Sequence, residues 1–143
     1  MKLHVLDANA LYRYLTGGPG AGIVNGLFKQ AREANQSILM SVVNWGEVHC
    51  AIAKAEGFAQ AARIMDRVLL LPLTVMNADK LVTISAAKLK AGHGLPYADC
   101  FAAATAGSEG VLVTADAKDF RKVLWLRTEP LPEHKPQRPK HGR

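Results

Sequence analysis

Apolar positions along the chain alternate between the spacing of strands and the spacing of helices. Short apolar runs predict strands at 3–6, 37–43, 69–76, 111–113 and 124–126. Apolar residues three or four positions apart predict helices at 8–15, 23–35, 44–55, 58–68, 77–91, 97–108 and 117–123. Because short strands alternate with helices, we expect an α/β fold with a mostly parallel central sheet covered on both faces.

Two residues refine the boundaries of these elements. Pro72 has no backbone N–H to donate, so the strand around it either lies at a sheet edge or starts only at Leu73. Asn77 has a side chain that can accept from the first N–H groups of the following helix. We therefore predict Asn77 as the N-cap of the helix over 77–91.

Length and composition indicate one globular domain. The chain has 143 residues, of which 49% are hydrophobic, and a domain typically spans about 100 to 200 residues. No window approaches the roughly 18 consecutive apolar residues of a membrane helix. The two cysteines, Cys50 and Cys100, lie in neither a disulfide framework nor a zinc-ligand spacing. We expect a soluble cytoplasmic protein that does not engage a membrane.

The C-terminal end differs from the rest of the chain in its charge and proline content. The chain has 18 lysines and arginines against 12 acids, a net charge of +6, which favours a polyanionic partner such as nucleic acid. After Arg127 the sequence is rich in proline and basic residues. We therefore predict a folded domain over 1–127 and a disordered basic tail over 128–143. Truncation after Thr128 is accordingly expected to spare the fold.

Two acids lie just beyond the ends of predicted strands. Asp7 comes after the first strand, and Asp116 comes shortly after the strand over 111–113. The carboxyl ends of strands are where open parallel sheets build their sites. Carboxylates held close together repel, so they persist only when a cation or proton neutralises them. A metal ion is the simplest explanation.

Other polar residues each allow two interpretations. Asp99, among small apolar residues, either belongs to a site or complements a helix dipole from the first turn. Glu47 is either functional or a solvated helical glutamate. Asp119 is either a site residue or a helix-start carboxylate. Asn9 and Thr114 could orient a carboxylate or water, although Asn9 could equally cap the first helix.

Together these residues lie in segments that resemble a known family. LDANAL, SVVNWGEV, LPYADCFAAATA and VLVTADAKDF are similar to the four acidic motifs of the PIN-domain family. Within it the chain resembles the VapC-type ribonuclease toxins of bacterial toxin–antitoxin pairs, from about Lys2 to Leu126. The resemblance places the family's acids on Asp7, Glu47, Asp99 and Asp116, a further acid on Asp119, and supporting polar positions on Asn9 and Thr114.

The resemblance implies a fold, an activity and partners. The fold would be a three-layer α/β/α sandwich, and the activity would be metal-dependent endoribonuclease cleavage by the toxin of a type II pair. Mg²⁺ or Mn²⁺ would be held by Asp7, Asp99 and Asp116, while Glu47 would hold or deprotonate the attacking water. An RNA substrate such as tRNA or rRNA, a cognate antitoxin and a homodimer are the implied partners.

One alternative stays open beside this hypothesis, and the sequence argues against two others. The first is a non-catalytic RNA- or partner-binding module on the same fold, which metal-dependent turnover would eliminate. A phosphotransfer receiver domain would need an acidic pair near the first strand, where Asp7 stands alone. A haloacid-dehalogenase-type phosphatase would need the pattern DxD, whereas this chain has Asp7, Ala8 and Asn9.

Overall fold

The computed structural model describes residues 1–133, which form a five-stranded sheet. The strands have the order β3-β2-β1-β4-β5, and every neighbouring pair is parallel. This arrangement confirms the predicted α/β fold with a parallel central sheet. The strands are β1 His4–Leu6, β2 Ile38–Ser41, β3 Leu73–Met76, β4 Val111–Thr114 and β5 Arg127–Pro130.

Helices cover both faces of the sheet because successive side chains of a strand point to opposite faces. Leu6 packs into a core with α1 to α4, whereas Val5 packs into a second core with α5 and α6. Within residues 1–133, none of the helices has the length and apolar character needed to cross a bilayer. They are α1 Ala8–Thr16, α2 Ala21–Glu33, α3 Val42–Glu56, α4 Phe58–Val68, α5 Lys80–His93 and α6 Tyr97–Ala106, with a 3₁₀ helix at Asp119–Lys122.

The two boundary predictions had different outcomes. β3 begins at Leu73 and is also an edge strand, so Pro72 withholds no N–H from a ladder. The predicted cap at Asn77 is wrong, because α5 begins at Lys80 and Asp79 is its N-cap. The Asp79 carboxylate accepts from the Val82 N–H at 2.9 Å. A carboxylate also complements the positive end of the helix, which an amide does not.

The predicted boundary between domain and tail at 127/128 is also wrong. Residues 128–130 of the predicted tail belong to β5, and Leu131 beyond them is buried. The Leu131 N–H donates to the Thr114 carbonyl at 2.8 Å. Pro130 is tolerated because β5 is an edge strand. The folded region therefore extends past Thr128, and residues 134–143 of the predicted tail lie outside the described residues.

Candidate functional site

Asp7 is the most buried acid of the candidate site. It follows β1 directly and caps α1, where its Oδ1 accepts from the Ala10 N–H at 2.8 Å. Burial raises the pKa of Asp7 to about 6, and the charges of Asp116 and Glu47 add to this rise. Hydrogen bonds from the Thr114 hydroxyl and the Ala10 N–H act in the opposite direction. Asp7 is therefore held in a fixed position in which its negative charge is poorly compensated.

Thr114 connects Asp7 to the second predicted acid. It ends β4, next to β1, and is fully buried. Its Oγ accepts from the Asp116 N–H at 2.9 Å, and the same hydroxyl lowers the pKa of Asp7. Thr114 thus acts on the residues that follow β1 and β4. The Asp116 side chain is exposed.

Asp99 faces the same group of charges from a different layer. It lies half-buried in the first turn of α6. Burial is the largest cause that raises its pKa to about 6, followed by repulsion from Asp7, Asp116, Glu47 and Asp119. Asp99 therefore occupies the first turn of a helix, as one interpretation held, and also lies within electrostatic range of the other acids.

Glu47 is exposed on α3. Its carboxylate accepts a hydrogen bond from Asn44, a residue that the sequence did not single out. The Nδ2 of Asn44 donates to Glu47 Oε1 at 3.1 Å and to the carbonyl of Ala98 at 3.0 Å. Asn44 is only 1% exposed. Its i, i+3 spacing to Glu47 was a usable signal, whereas nothing in the sequence pointed to Ala98 on α6.

The remaining predicted residues lie at the periphery. Asp119 is exposed at the start of the 3₁₀ helix, from where its charge reaches Asp99. Asn9 does not cap α1, because Asp7 does; it is half-buried beside Glu47. Asn9, Glu47 and Tyr12 line a cleft of about 240 Å³. A larger cleft of about 470 Å³, beside Trp125, has none of the five acids in its lining.

We call Asp7, Glu47, Asp99, Asp116 and Asp119 the carboxylate cluster. Its oxygen donors are of the type that Mg²⁺ and Mn²⁺ prefer, without the thiolates of a zinc site. Burial is the main cause of the raised pKa values of Asp7 and Asp99, and mutual repulsion adds to both rises; a cation would relieve that repulsion. Within residues 1–133, no three His, Cys, Asp or Glu side chains approach closely enough to hold an ion together. The donor chemistry therefore fits a divalent cation, while the carboxylates lie within electrostatic range rather than at ligand spacing.

Comparisons with known proteins agree with this geometry. The model of the family described as PIN domain matches residues 4–126. No curated protein matches the chain significantly.

Among solved structures, the chain is similar to VapBC2 from Rickettsia felis bound to a promoter DNA fragment, with a TM-score of 0.73 at 19% identity. That match covers 90% of this chain and 98% of the other. The DNA-bound VapBC from Salmonella typhimurium gives a TM-score of 0.74 at 19% identity over 91% and 98% of the two chains. VapBC-1 from Haemophilus influenzae gives 0.65 at 18% identity over 90% and 97%. At these identities the likeness concerns the fold.

Proposed function

The chain belongs to the PIN domain family, and on that premise we propose that it is a metal-dependent endoribonuclease, the toxin of a type II toxin–antitoxin pair. The observation that carries this proposal is the convergence of acids from β1, β4, α3 and α6, of which Asp7 and Asp99 have pKa values raised to about 6. Perturbed carboxylates at the carboxyl edge of a parallel sheet are typical of functional sites.

Asp7, Asp99 and Asp116 are the residues that would hold Mg²⁺ or Mn²⁺. Such an ion polarises a scissile phosphate and lowers the pKa of a bound water. Hydrogen bonds within the protein position the carboxylates that would act as ligands. The Ala10 N–H fixes the Asp7 carboxylate, and the Thr114 hydroxyl fixes the backbone of Asp116.

Glu47 is the candidate general base. Its carboxylate is exposed, so both water and an RNA strand have access to it, while Asn44 restricts its rotation from the buried side. A base in this position would hold the attacking water and accept its proton. Asp119, Thr114 and Asn9 have supporting roles in this proposal, because they border the acids without joining the proposed ligand set.

The proposal also assigns partners. The structural neighbours are VapBC toxin–antitoxin assemblies, which supports a cognate antitoxin and, by analogy, a homodimer. The substrate would be a cellular RNA such as tRNA or rRNA, and the proposed location is the cytoplasm, where such RNA is found.

The test is cleavage of total cellular RNA by the purified, partner-free protein in Mg²⁺, in Mn²⁺ and in EDTA. The variant Asp99→Asn keeps the size of the side chain and removes its charge. We expect its cleavage rate to fall at least about 100-fold, since loss of a metal ligand removes several kcal/mol of transition-state stabilisation. Asp66→Asn, on the exposed side of α4, is the matched control and should retain full activity.

The second candidate function is a non-catalytic RNA- or partner-binding module. The wide spacing of the carboxylates among residues 1–133 favours it as the alternative. Folded, partner-free protein that binds RNA but cleaves none under any metal would support this alternative and overturn the nuclease proposal.

A further inference from the structure

The proposed reaction assigns no role to the cleft of about 240 Å³ between α1 and α3. Each helix contributes residues at positions i, i+1 and i+4, of which the first and last lie on one face, one turn apart. We call this group of residues the α1–α3 cleft. Its members are Ala8, Asn9 and Tyr12 on α1, and Glu47, Val48 and Ala51 on α3.

The α1–α3 cleft lies next to the proposed reaction centre. Ala8 and Asn9 directly follow Asp7 in the chain, and Glu47 belongs both to the cleft and to the carboxylate cluster. Tyr12 comes five residues after Asp7, which corresponds to a rise of about 7.5 Å along a helix. A nucleotide next to a phosphate bound at the carboxylate cluster can therefore extend its base into the cleft.

The lining of the cleft favours a neutral, planar group. Val48 is buried, and Ala8 and Tyr12 are half-buried against the core of α1 to α4, so this side of the cleft is apolar and well packed. Among the described residues, Glu47 is the only charged one in the lining. Its carboxylate repels a phosphate or an acidic peptide, whereas a nucleobase is uncharged and stacks on aromatic side chains such as tyrosine.

Asn9 adds a group that can distinguish one base from another. Asp7 caps α1, so the Asn9 amide is not required at the helix terminus. Asn9 is half-buried and lines the cleft, and an amide offers both hydrogen-bond donors and an acceptor. The edges of nucleobases carry the same two kinds of group, in patterns that differ from base to base.

The volume of the cleft limits the size of its ligand. Pockets for drug-sized ligands measure about 300 to 1,000 Å³, so a cleft of about 240 Å³ suits one ring system. We propose that the α1–α3 cleft binds one unstacked nucleobase of the RNA, next to the scissile phosphate, with Tyr12 as the stacking surface and Asn9 in contact with the base edge. This inference rests on the proposed function for the identity of the nucleic acid.

The test compares the binding of two single strands in EDTA, so that the RNA stays intact. One is an RNA of about 12 nucleotides with mixed sequence, and the other has the same ribose–phosphate backbone without bases. Because both strands carry the same phosphates, the ratio of their Kd values measures contacts with bases and not with charge. Stacking of one base on an aromatic side chain changes Kd about 5- to 100-fold. We therefore expect the unmodified protein to bind the mixed RNA at least about 5-fold more tightly.

Substitutions at Tyr12 test the stacking surface. Tyr12→Leu removes the ring and should lower the Kd ratio at least about 5-fold, whereas Tyr12→Phe keeps the ring and should preserve the ratio. Phe58→Leu is the matched control, since its ring is 86% exposed on α4, outside the cleft. An equal ratio in Tyr12→Leu and the unmodified protein would overturn the proposal.

A second variant blocks the cleft without changing Tyr12. Ala51→Leu fills the space from α3, and it should lower the Kd ratio in the same way. Ala55→Leu, exposed one turn further along α3, is its control and should leave the ratio unchanged. Ala51→Leu decides the question if Tyr12→Leu does not fold, and an unchanged ratio in folded Ala51→Leu would overturn the proposal.

Cleavage of an RNA of randomised sequence in Mg²⁺ tests the role of Asn9. Sequencing of the products should show a base preference at a position next to the cut, and Asn9→Ala should remove that preference because alanine cannot hydrogen-bond to the base edge. Asn25→Ala, on the exposed side of α2, should retain it. A preference that persists in Asn9→Ala would overturn the assignment of Asn9.

The two measurements separate this proposal from the nuclease proposal. Cleavage by a protein that binds both strands equally would overturn the base-binding cleft and leave the nuclease function standing. Absence of cleavage, together with a Kd ratio that depends on Tyr12, would overturn the nuclease function and support the α1–α3 cleft as a base-binding site.

Discussion

Two regions at the same edge of the sheet bury charged groups. One is the carboxylate cluster, and the other is a group that we call the C-terminal anchor, formed by Arg13, Gly20, Leu131 and Pro132. In the anchor, the buried Arg13 donates to two backbone carbonyls that need donors. In the cluster, buried Asp7 and half-buried Asp99 face other carboxylates, and their pKa values rise to about 6. A buried charge whose hydrogen bonds come from the protein stabilises the fold, whereas one left facing like charges indicates a place for a ligand.

The difference extends to how tightly each region is packed. Leu131 of the anchor is 3% exposed and belongs to the core that contains α1 to α4. Asp116, Asp119 and Glu47 of the cluster are exposed. The anchor should therefore respond to substitution through stability, and the cluster through activity and pH.

The largest expected effect is on the anchor. A chain that ends at Thr128 lacks half of β5, buried Leu131 and the Pro132 carbonyl that Arg13 contacts. Loss of a buried leucine costs about 1.5 to 3 kcal/mol, and loss of a hydrogen bond to a charged group costs about 1.5 to 3 kcal/mol more. We expect the free energy of unfolding, measured in urea, to fall by about 3 to 6 kcal/mol.

The matched control for that truncation is a chain that ends at Glu133. It keeps β5 and the whole C-terminal anchor, so its urea midpoint should equal that of the full chain. If the two truncated chains unfold at the same midpoint, the anchor does not stabilise the fold and the contrast between the two regions disappears.

The second effect is the pH dependence that the carboxylate cluster gives to the free energy of unfolding. The pKa of Asp7 is about 6 in the folded protein and 3.8 as its ordinary value, so the folded state binds more protons between pH 4 and 6. The stabilisation from protonation is complete below pH 4 and is lost as the pH rises through 6. For Asp7 the loss is about 3 kcal/mol at most, and half-exposed Asp99 changes stability in the same direction by less.

Urea unfolding at pH 5 and pH 7.5 in EDTA measures this loss. Asp7→Asn should remove most of the difference between the two pH values, because asparagine does not titrate. Adding Mg²⁺ at pH 7.5 should restore stability by binding the ionised carboxylates of the folded protein. Stability that rises from pH 5 to 7.5 would contradict the described burial of Asp7.

The sequence predicts those features of the fold that depend on the order of strands and helices along the chain. Because β1 and β4 are parallel, the residues that follow them lie at one edge of the sheet, which is the basis for assigning Asp7 and Asp116 to one proposed site. The spacing of apolar residues likewise gave the helix over 58–68, which is α4. The helix and the parallel sheet were confirmed because they follow from apolar spacing and from the alternation of strands with helices along the chain.

The features that the sequence did not reveal depend on contacts between distant segments. The prolines and charged residues after Arg127 predicted a tail, so β5 and buried Leu131 were not expected. An edge strand such as β5 tolerates Pro130. Nothing in the local sequence distinguishes Arg13 as a buried residue, because its partner Pro132 lies 119 residues away. Asn44 was overlooked because its contact with Ala98 spans 54 residues.

Substitution of Asn44 has the smallest expected effect. It tests the contrast directly, because Asn44 is buried like the anchor but donates a hydrogen bond to Glu47 of the cluster. Asn44→Leu preserves approximate size and removes the donations to Glu47 and Ala98. We expect RNA cleavage to fall about 10-fold, equivalent to about 1.4 kcal/mol, because Glu47 is no longer held. The urea midpoint should change little, since Asn44 Oδ1 is buried and lacks a hydrogen-bond partner among the described residues. Asn25→Leu, on the exposed side of α2, should leave cleavage unchanged.

A double-mutant cycle shows whether Asn44 acts through Glu47. In a Glu47→Ala background the side chain that Asn44 orients is gone, so Asn44→Leu should lower the residual cleavage by much less than 10-fold. A full 10-fold loss in that background would assign the effect to the Ala98 carbonyl and the neighbouring Asp99 instead. A large drop in the urea midpoint would place Asn44 with the anchor, as a group that stabilises the fold. Only non-additive cleavage with an unchanged midpoint fits a buried residue that works for the carboxylate cluster.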